Sequence, residues 1–154
     1  MNLSGEFAVR APRDAVFNEL RDPRFFASCF DGVSDLRQID DSRYDATLET
    51  KVAFMKFRFK MTVEMVRIEA PDTIEATIVG APSGFPGRLT ATSITRLDED
   101  GDTTRVRYDI DAALTGKLGS LGQTVMKAKA QEMERQFVAR LRAAFEDAAP
   151  EESR

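Results

Sequence analysis

Side chains that could do acid–base or metal chemistry are few in this chain. It has no histidine, and its single cysteine is Cys29. The neighbours of that thiol are Phe25, Phe26 and Phe30. Burial among these rings would raise the pKa of the thiol and hold it as an inert structural group rather than a nucleophile. Without histidine, neither a thiol–imidazole pair nor an ordinary histidine-ligated metal site can form. The sequence therefore predicts no catalytic residue and no metal site.

A stripe of flexible and flat apolar side chains is more informative. Between residues 54 and 67 apolar and polar residues alternate, and the apolar set is Phe57, Phe59, Met61, Val63 and Met65. The polar set is Lys56, Arg58, Lys60, Thr62 and Glu64. Successive side chains of a strand point to opposite faces, so a long strand with one apolar and one solvated face is predicted. Met and Phe adapt to irregular guests, which favours an enclosed apolar ligand, although such a stripe is also typical of plain core.

Hydroxyl groups could add polar contacts to the same interior. Leu89 and Leu97 share one parity and could both face inward. The residues that alternate between them are Ala91, Ser93 and Thr95. These hydroxyls, with that of Tyr108, could bind a ligand carbonyl, or they could bond only to backbone and water. Ile94 competes for the inner side, so the parity of this strand stays open.

Length and charge narrow the class of protein. A chain of 154 residues fits one domain with a substantial core. The net charge of −4 arises from 26 acidic and 22 basic residues, and the basic ones are dispersed along the sequence. A basic patch for phosphates is therefore not expected, which argues against nucleic-acid binding. No signal peptide and no run of about 20 apolar residues is present, so we expect a soluble, cytoplasmic protein.

The remaining elements follow from periodicity and turn residues. A first strand is predicted from Leu3 to Arg10, and a short helix from Pro12 to Leu20. Asp22 is suited to cap a second short helix with Pro23 in its first turn. Six further strands are predicted between residues 33 and 114. In one of these strands the residues Tyr44, Ala46, Leu48, Val52 and Phe54 lie on the same face, which we expect to point to the interior.

The last segment, residues 116–149, has helical spacing and predicts a long amphipathic helix of roughly eight turns. Its apolar positions are Leu118, Leu121, Val125, Met133, Phe137, Leu141 and Phe145. Its charged residues, assigned to the solvated side, are Lys127, Lys129, Glu132, Glu134, Arg135, Arg140 and Arg142. Small residues such as Gly116, Gly119 and Ala128 make its first half thin. An antiparallel sheet wrapped around such a helix would keep an internal apolar cavity.

With these elements in place, the chain resembles the carbon monoxide dehydrogenase G-subunit family of the START-like, helix-grip (SRPBCC) superfamily. The resemblance runs from about Leu3 to Phe145. The matching features are Gly5-x-Phe7, Ala11-Pro12-x-x-x-Val16-Phe17-x-x-Leu20-x-Asp22-Pro23, the segment Cys29 to Gly32, the loop Gly80 to Gly87, Thr103-Thr104-x-Val106-x-Tyr108 and Gly116-x-Leu118-x-x-Leu121-Gly122. The family commonly has Cys-x-Pro-Gly-Cys where this chain has Cys29-Phe30-Asp31-Gly32-Val33, so the proline and the second cysteine are missing.

The resemblance implies an α+β helix-grip domain over residues 1–149, with a curved sheet of about seven strands around the C-terminal helix. It also implies a non-catalytic accessory protein that binds a quinone or lipid-like molecule and docks a molybdenum-containing CO dehydrogenase-like enzyme. No covalent cofactor is expected. The resemblance is also compatible with contact between the protein and the inner face of the membrane, and with a homodimer. Some family members have a C-terminal anchor. Residues 150–154 are polar and are predicted as a disordered tail, so either this member is untethered or its sequence was cut.

The predicted ligand contacts combine strand parity with the resemblance. They are Phe57, Phe59, Met61, Met65, Ile78, Phe85, Tyr108, Leu121 and Val125. Phe85 is the apolar tip of the loop Gly80 to Gly87, which is either a gate at the cavity mouth or a plain connection.

Two other interpretations stay open. The first is a helix-grip enzyme of the cyclase or hydrolase type, which would need a carboxyl group facing the cavity. The strand acids fall on the solvated parity instead, and these are Asp45, Glu49, Glu64 and Glu75. The second is a protein–protein adaptor with a vestigial cavity, which would have a filled interior and an exposed apolar patch.

Overall fold

The fold is an antiparallel sheet with helices on one side, in a computed structural model that describes residues 1–146. The elements are β1 (Asn2–Val9), α1 (Arg13–Leu20), α2 (Pro23–Ser28), β2 (Val33–Gln38), β3 (Arg43–Val52), β4 (Met55–Glu69), β5 (Thr73–Pro82), β6 (Arg88–Asp100), β7 (Thr103–Thr115), a 3₁₀ segment (Gly116–Leu121) and α3 (Gln123–Glu146). The predicted order of strand, two short helices, six strands and long helix is confirmed. The predicted tail 150–154 and the last predicted helical residues, 147–149, lie outside the described residues.

All strand pairs are antiparallel, in the order β1-β7-β6-β5-β4-β3-β2. Strands β2 to β7 form a meander, and β1 returns to pair with β7. The connection through α1 and α2 therefore links the two edges of the seven-stranded sheet. An antiparallel sheet of this kind needs cover on one face only, and α3 supplies it.

The alternation predicted for β4 is confirmed in its first half. Phe57 and Phe59 are 5 % exposed, while Lys56, Arg58 and Lys60 between and beside them are exposed. The register then shifts between Met65 and Arg67. A bulge of this kind adds one residue to a strand and reverses the parity that follows it. Val66 is 56 % exposed, and after the bulge Ile68 packs on the core while Arg67, which unbroken alternation would turn inward, pairs with Glu75 on the outer face.

Local capping explains the start of α2. The side chain of Asp22 accepts a hydrogen bond from the backbone N–H of Arg24, and Pro23 occupies the first helical turn. Proline has no N–H to leave unpaired there, and its fixed φ suits the turn. The predicted N-cap is therefore confirmed.

The prediction that Phe54 faces the interior is wrong. Phe54 is 98 % exposed, because Ala53 and Phe54 form the turn between β3 and β4. Ala53 has a φ of 56°, in the left-handed region, and Val52 pairs directly with Met55. A side chain in such a turn no longer follows strand parity.

The prediction that the C-terminal helix begins at Gly116 is also wrong. Residues 116–121 form the 3₁₀ segment, and α3 begins at Gln123. Gly122 separates the two with φ 89° and ψ 150°, an extended backbone with positive φ that interrupts helical hydrogen bonding. Leu118 is fully buried within the short segment, so the apolar spacing there reflects burial rather than a regular α-helix.

Leu141 is the fully buried apolar anchor of α3. We expect Leu141→Ala to lower the free energy of unfolding by about 2–5 kcal/mol, because the cavity left behind adds to the lost transfer free energy. Ile39, which is 49 % exposed, provides the control. Ile39→Ala should change the free energy by less than about 0.5 kcal/mol. Urea unfolding followed by circular dichroism measures both, and equal effects would contradict this assignment of the core.

Candidate ligand-binding site

Strand register settles which side chains face the concave side of the sheet. Leu97 pairs with Val106, and both are buried. Residues two and four positions before Leu97 therefore face the same side, and these are Thr95 and Ser93. Ile94 pairs with Asp109 on the opposite, outer face. The inward orientation that the sequence left open for this strand is thus the observed one.

Two separate hydrophobic clusters occupy the ends of the concave side. The basal cluster, below α1 and the second half of α3, contains Phe7, Val9, Ala11, Val16, Phe17, Leu20, Ile74, Leu97, Val106 and Leu141. The distal cluster, at the end of the β3–β4 hairpin, contains Val52, Phe57, Phe59 and Leu118. The two share no residue. The alternating apolar residues that predicted a single inner face therefore lie in two packed regions. Between them is a middle zone of the sheet, which we call the belt.

Small side chains form that belt. Across neighbouring strands, Ala76 pairs with Ser93, and Ala91 pairs with Ala112. Gly80 lies in the same region, inside β5 rather than in the predicted loop. A Cβ at Gly80 would lie 2.9 Å from the sulfur of Met61, so glycine lets that side chain cross the strand. These small residues alternate across the sheet with the larger inward side chains of Val63, Ile78 and Ile110.

Helix α3 comes closest to the sheet near its edges. Its Cα atoms approach the sheet within 8 Å mainly at β1 and β3, which are at or next to opposite edges. Among the inward side chains of the central strands, Ala76 and Ala112 are buried, whereas several others are only half-buried, namely Val63, Ile78, Ala91, Ser93 and Ile110. A helix held at the edges over a belt of small residues leaves the middle of the sheet less covered than its ends.

The predicted ligand-contact residues are divided by the structure. Phe57, Phe59, Met61, Phe85, Leu121 and Val125 belong to or pack on the distal cluster. Met65 and Tyr108 pack on the basal cluster. Ile78 faces the belt and is half-buried. The predicted set therefore surrounds the belt from both ends, although no ligand is present to test the contacts.

The loop of residues 83–87 is held against the distal cluster. The ring of Phe85 meets that of Phe57 edge to face, with centroids 5.2 Å apart and planes at 85°. Gly87 has a φ of 133°, and a Cβ there would lie 2.7 Å from the Cβ of Leu118. Glycine is therefore required for the loop to approach the 3₁₀ segment. Phe85 is the apolar tip of the loop, as predicted, while its action as a gate stays a prediction.

A carboxyl group that sequence analysis assigned to solvent faces the site. The hydroxyl of Tyr108 donates a hydrogen bond to the carboxylate of Glu134, on α3. A Cβ at Gly5 would collide with both partners, so glycine on β1 makes room for the pair. Thr95 is the cross-strand neighbour of Tyr108. Glu134 precedes Phe137 by three residues and Leu141 by seven, a helical spacing that could have identified it as inward-facing.

The hydroxyls of Ser93 and Thr95 have no side-chain hydrogen bond to any residue in the described range 1–146. Both residues are half-buried on the concave side. With Tyr108 and Glu134 they form a polar group in otherwise apolar surroundings, which we call the polar anchor. Its hydroxyls can donate or accept, whereas the carboxylate accepts only.

The thiol of Cys29 is fully buried at the end of α2. Desolvation by burial raises its pKa to about 11, with the Arg140 guanidinium opposing the shift. Phe26 and Phe30 meet edge to face beside it, and both approach Phe137 of α3. The predicted inert, structural thiol is confirmed as to its burial and its raised pKa.

The strand acids lie on the outer face. Glu64 pairs with Arg43 at 3.6 Å, and Glu75 pairs with Arg67 at 3.0 Å. Within residues 1–146 no group of three or more acidic, cysteine or histidine side chains is placed to hold a metal ion. In the same range none of the helices is both long and apolar enough to cross a membrane.

Two shallow recesses open on the outer face of the sheet. One, of about 460 Å³, is lined by residues that include Arg96, Arg107 and Asp109. The other, of about 340 Å³, is lined by residues that include Thr77 and Thr92. Both recesses are wide open to solvent, so neither would enclose an apolar molecule.

Comparison with known proteins agrees with this architecture. The family model for the carbon monoxide dehydrogenase G subunit (CoxG) matches residues 5–145. Among curated proteins, none matches the sequence.

Solved structures share the helix-grip fold. A conserved protein from Geobacillus kaustophilus is 21 % identical with a TM-score of 0.87, over 96 % of this chain and 97 % of that one. The Zhui aromatase/cyclase from Streptomyces sp. R1128 is 13 % identical with a TM-score of 0.69, over 95 % and 93 %. A Thermus thermophilus protein is 18 % identical with a TM-score of 0.62, over 94 % and 99 %. At these identities the likeness establishes the fold alone.

The raised pKa of Cys29 predicts a slow reaction with iodoacetamide at pH 8. A shift from 9.0 to about 11 lowers the thiolate fraction by about 100-fold, and burial slows the reaction further. Unfolding in guanidinium should remove this protection. Mass spectrometry of alkylated protein, in the native state and after unfolding, measures the ratio of rates, and comparable rates in both states would contradict the assignment.

The same shift predicts a loss of stability at alkaline pH. The folded state holds the Cys29 proton more tightly than the unfolded state, so this contribution is complete below pH 9 and is lost as the pH rises towards about 11. Burial also raises the pKa of Tyr44 to about 12, which gives a second loss between about pH 10 and 12. Cys29→Ala should remove the part of the decline that begins near pH 9 and leave the later part. Urea unfolding at a series of pH values measures the decline, and an unchanged profile in Cys29→Ala would contradict this origin.

Proposed function

This chain belongs to the carbon monoxide dehydrogenase G-subunit family, and on that premise we propose that it is a non-catalytic carrier of a quinone or lipid-like molecule. The ligand occupies the space between the belt of small side chains and α3. The family name points to association with a CO dehydrogenase, and we extend the proposal to docking on a molybdenum enzyme of that kind. A cytoplasmic location at the inner face of the membrane belongs to the same proposal.

The observation that carries the proposal is the separation of the two hydrophobic clusters. A chain that needed only a core would fill the centre of the sheet with large side chains, since protein interiors are packed to the density of organic crystals. Here the two clusters lie at the ends, and the inward positions between them alternate the small Ala76, Ala91 and Ala112 with larger side chains that are only half-buried, which are Val63, Ile78 and Ile110. An apolar guest of matching shape would complete the packing of the belt.

The surroundings also suggest how such a guest is oriented. Flexible Met61 and aromatic Phe57 and Phe85 border the belt at its distal end, where an isoprenoid or acyl chain would find adaptable apolar contacts. The polar anchor borders the belt near β1 and β7. A ligand with one polar head and an apolar tail would therefore place its head beside Tyr108 and Glu134 and its tail towards Phe85.

The first experiment is native mass spectrometry of the purified protein, followed by organic extraction. A stoichiometric quinone or lipid supports the carrier. An empty protein that also takes up no added quinone or lipid would contradict it and favour the adaptor interpretation. Co-purification with a molybdenum-containing CO dehydrogenase-like enzyme tests the partner separately.

Met61→Trp should abolish uptake of an apolar ligand without unfolding the protein, because the larger ring fills the belt beside Gly80. Overpacking of this kind typically costs about 1–3 kcal/mol. Thr62→Trp is the matched control, since Thr62 is the next residue of β4 and its side chain is exposed on the outer face. Displacement of a fluorescent fatty acid measures uptake by both variants. Unchanged uptake by Met61→Trp would count against a ligand at this position.

The polar anchor predicts a preference for ligands with a hydroxyl group, so among quinones the reduced hydroquinone form, which can donate, should bind more tightly than the quinone, whose carbonyl oxygens only accept. Tyr108 directs its single proton to Glu134, so the pair presents mainly acceptor atoms to a guest. A long-chain alkylphenol should bind more tightly than its methyl ether, which cannot donate. Glu134→Gln should reduce this preference by about tenfold, because hydrogen bonds to charged groups are the stronger ones.

Calorimetric titration of both ligands into both proteins measures the preference. Glu132→Gln is the control, since Glu132 lies on the same helix but pairs with Lys129 and is exposed. Equal affinity for the phenol and its ether would mean that the polar head of the ligand does not bind at the polar anchor. It would not contradict the proposal that the protein is a carrier.

A second function is favoured by the same pair. A carboxyl group facing the concave side was the feature that the sequence lacked for an enzyme, and Glu134 supplies it. If the Tyr108 hydroxyl turns from Glu134 to the carbonyl oxygen of a bound polyketide-like ketone, Glu134 can take the α-proton while Tyr108 stabilises the enolate oxygen, which is enolisation. The aromatase/cyclase of the same fold makes this chemistry worth testing. Exchange of the α-protons of an incubated ketone for deuterium in D2O, lost in Glu134→Gln, would support the enzyme against the carrier.

A further inference from the structure

The turn between β3 and β4 exposes two large apolar side chains. Phe54 is 98 % exposed and Met55 is 41 % exposed at its tip. Exposing a phenyl ring so completely forgoes the stabilisation that its burial would give. Ala53 adopts a φ of 56° within the turn, which directs the following residue outward. The tip is therefore an apolar projection without cover from residues 1–146.

Exposed cations surround this projection. They are Lys51, Lys56, Arg58, Lys60, Arg88 and Lys117. None of them forms an ion pair with a described residue. Several arginines nearer the opposite end of the sheet are paired, as in Arg107 with Asp98 at 2.8 Å and Arg67 with Glu69 at 3.0 Å. We call Phe54, Met55 and these six cations the hairpin end.

Antiparallel pairing brings these residues together. The β3–β4 turn, the loop 83–87 and the start of the 3₁₀ segment all lie at one end of the sheet, because β3, β5 and β7 end there and β4 and β6 begin there. The turns at 39–42, 70–72 and 101–102 lie at the opposite end and contain most of the acidic turn residues. Six of the 22 basic residues thus lie together at one end of the sheet, although the basic residues are dispersed along the sequence.

We propose that the hairpin end docks the protein on the surface of an anionic lipid bilayer. Phe54 and Met55 enter the boundary between headgroups and acyl chains, and the surrounding cations contact lipid phosphates. Charge complementarity selects this occupant, since a protein with a net charge of −4 presents a group of six unpaired cations around an apolar tip. Large apolar side chains flanked by cations suit the boundary between anionic headgroups and acyl chains.

Docking in this orientation has a consequence for the ligand, and this step rests on the proposed function. Phe85 and Leu121, which border the distal cluster, are at the same end. An apolar molecule could then pass between the bilayer and the belt without crossing water. The docking step itself requires no bound ligand.

Sedimentation with lipid vesicles tests the docking. We expect the protein to bind vesicles that contain phosphatidylglycerol, to bind phosphatidylcholine vesicles much more weakly, and to be released by high salt. Lys56→Gln and Arg58→Gln should each weaken binding by about fivefold. Phe54→Ser should weaken it by about tenfold.

The controls are Val66→Ser and Arg96→Gln, which alter an exposed apolar residue and an exposed cation away from the hairpin end. Both should bind like the unaltered protein. Circular dichroism checks that every variant is folded.

Other outcomes would overturn the proposal. These are no binding to anionic vesicles, equal losses in the control variants, or tight binding to an oligonucleotide in the absence of vesicle binding. Uptake of a fluorescent fatty acid is measured separately in solution. Uptake without vesicle binding refutes the docking alone, whereas vesicle binding without uptake refutes the carrier alone.

Discussion

The structure depends on one constraint, which is that a single long helix, joined at one end by the short helix α1, must cover the apolar face of a seven-stranded sheet. The alternation in β4 and its neighbours directs apolar side chains to one side, and water must be excluded from that side. A helix of 24 residues is roughly 36 Å long but only one helix wide. It can complete a core near the ends of a curved sheet, where Phe17, Leu141 and Leu118 are fully buried. It cannot bring the same packing to every central strand.

Several residues of the belt are small and do not fill the space that α3 leaves over the central strands. Ala91 and Ala112 face each other where larger residues could have filled the gap. Glycine has a more specific role at two positions, since Gly80 admits the side chain of Met61 and Gly5 admits the pair formed by Tyr108 and Glu134. A site arises here from the placement of small residues in a regular sheet, with no distortion of the strands that carry them.

Sequence periodicity predicted the parts of the fold that depend on local rules. The parity of β4 up to Met65 and the cap at Asp22 both follow from the chain's immediate neighbours. Sequence periodicity did not predict features that depend on turn geometry, on irregular strand pairing or on contacts between residues distant in sequence. The turn that exposes Phe54 breaks the parity predicted for β3, and the bulge at Val66 turns Ile68 inward although it follows the polar side of the alternation. Glu134 was misplaced because charge was taken as a sign of solvent, whereas its partner is a tyrosine distant in sequence.

The hairpin end combines exposed apolar side chains with unpaired cations, next to the distal end of the proposed ligand site. A carrier of an apolar molecule has to expose apolar surface to collect its cargo, and such surface is a liability in water. Confining it to Phe54 and Met55, within a ring of unpaired cations, keeps the projection small and hydrated until an anionic surface is present. The acidic turns at the opposite end would be repelled by the same surface and would orient the protein with its distal cluster towards the lipid. The segregation of charge, which composition conceals, thus favours the one orientation in which the proposed ligand site and the bilayer are adjacent.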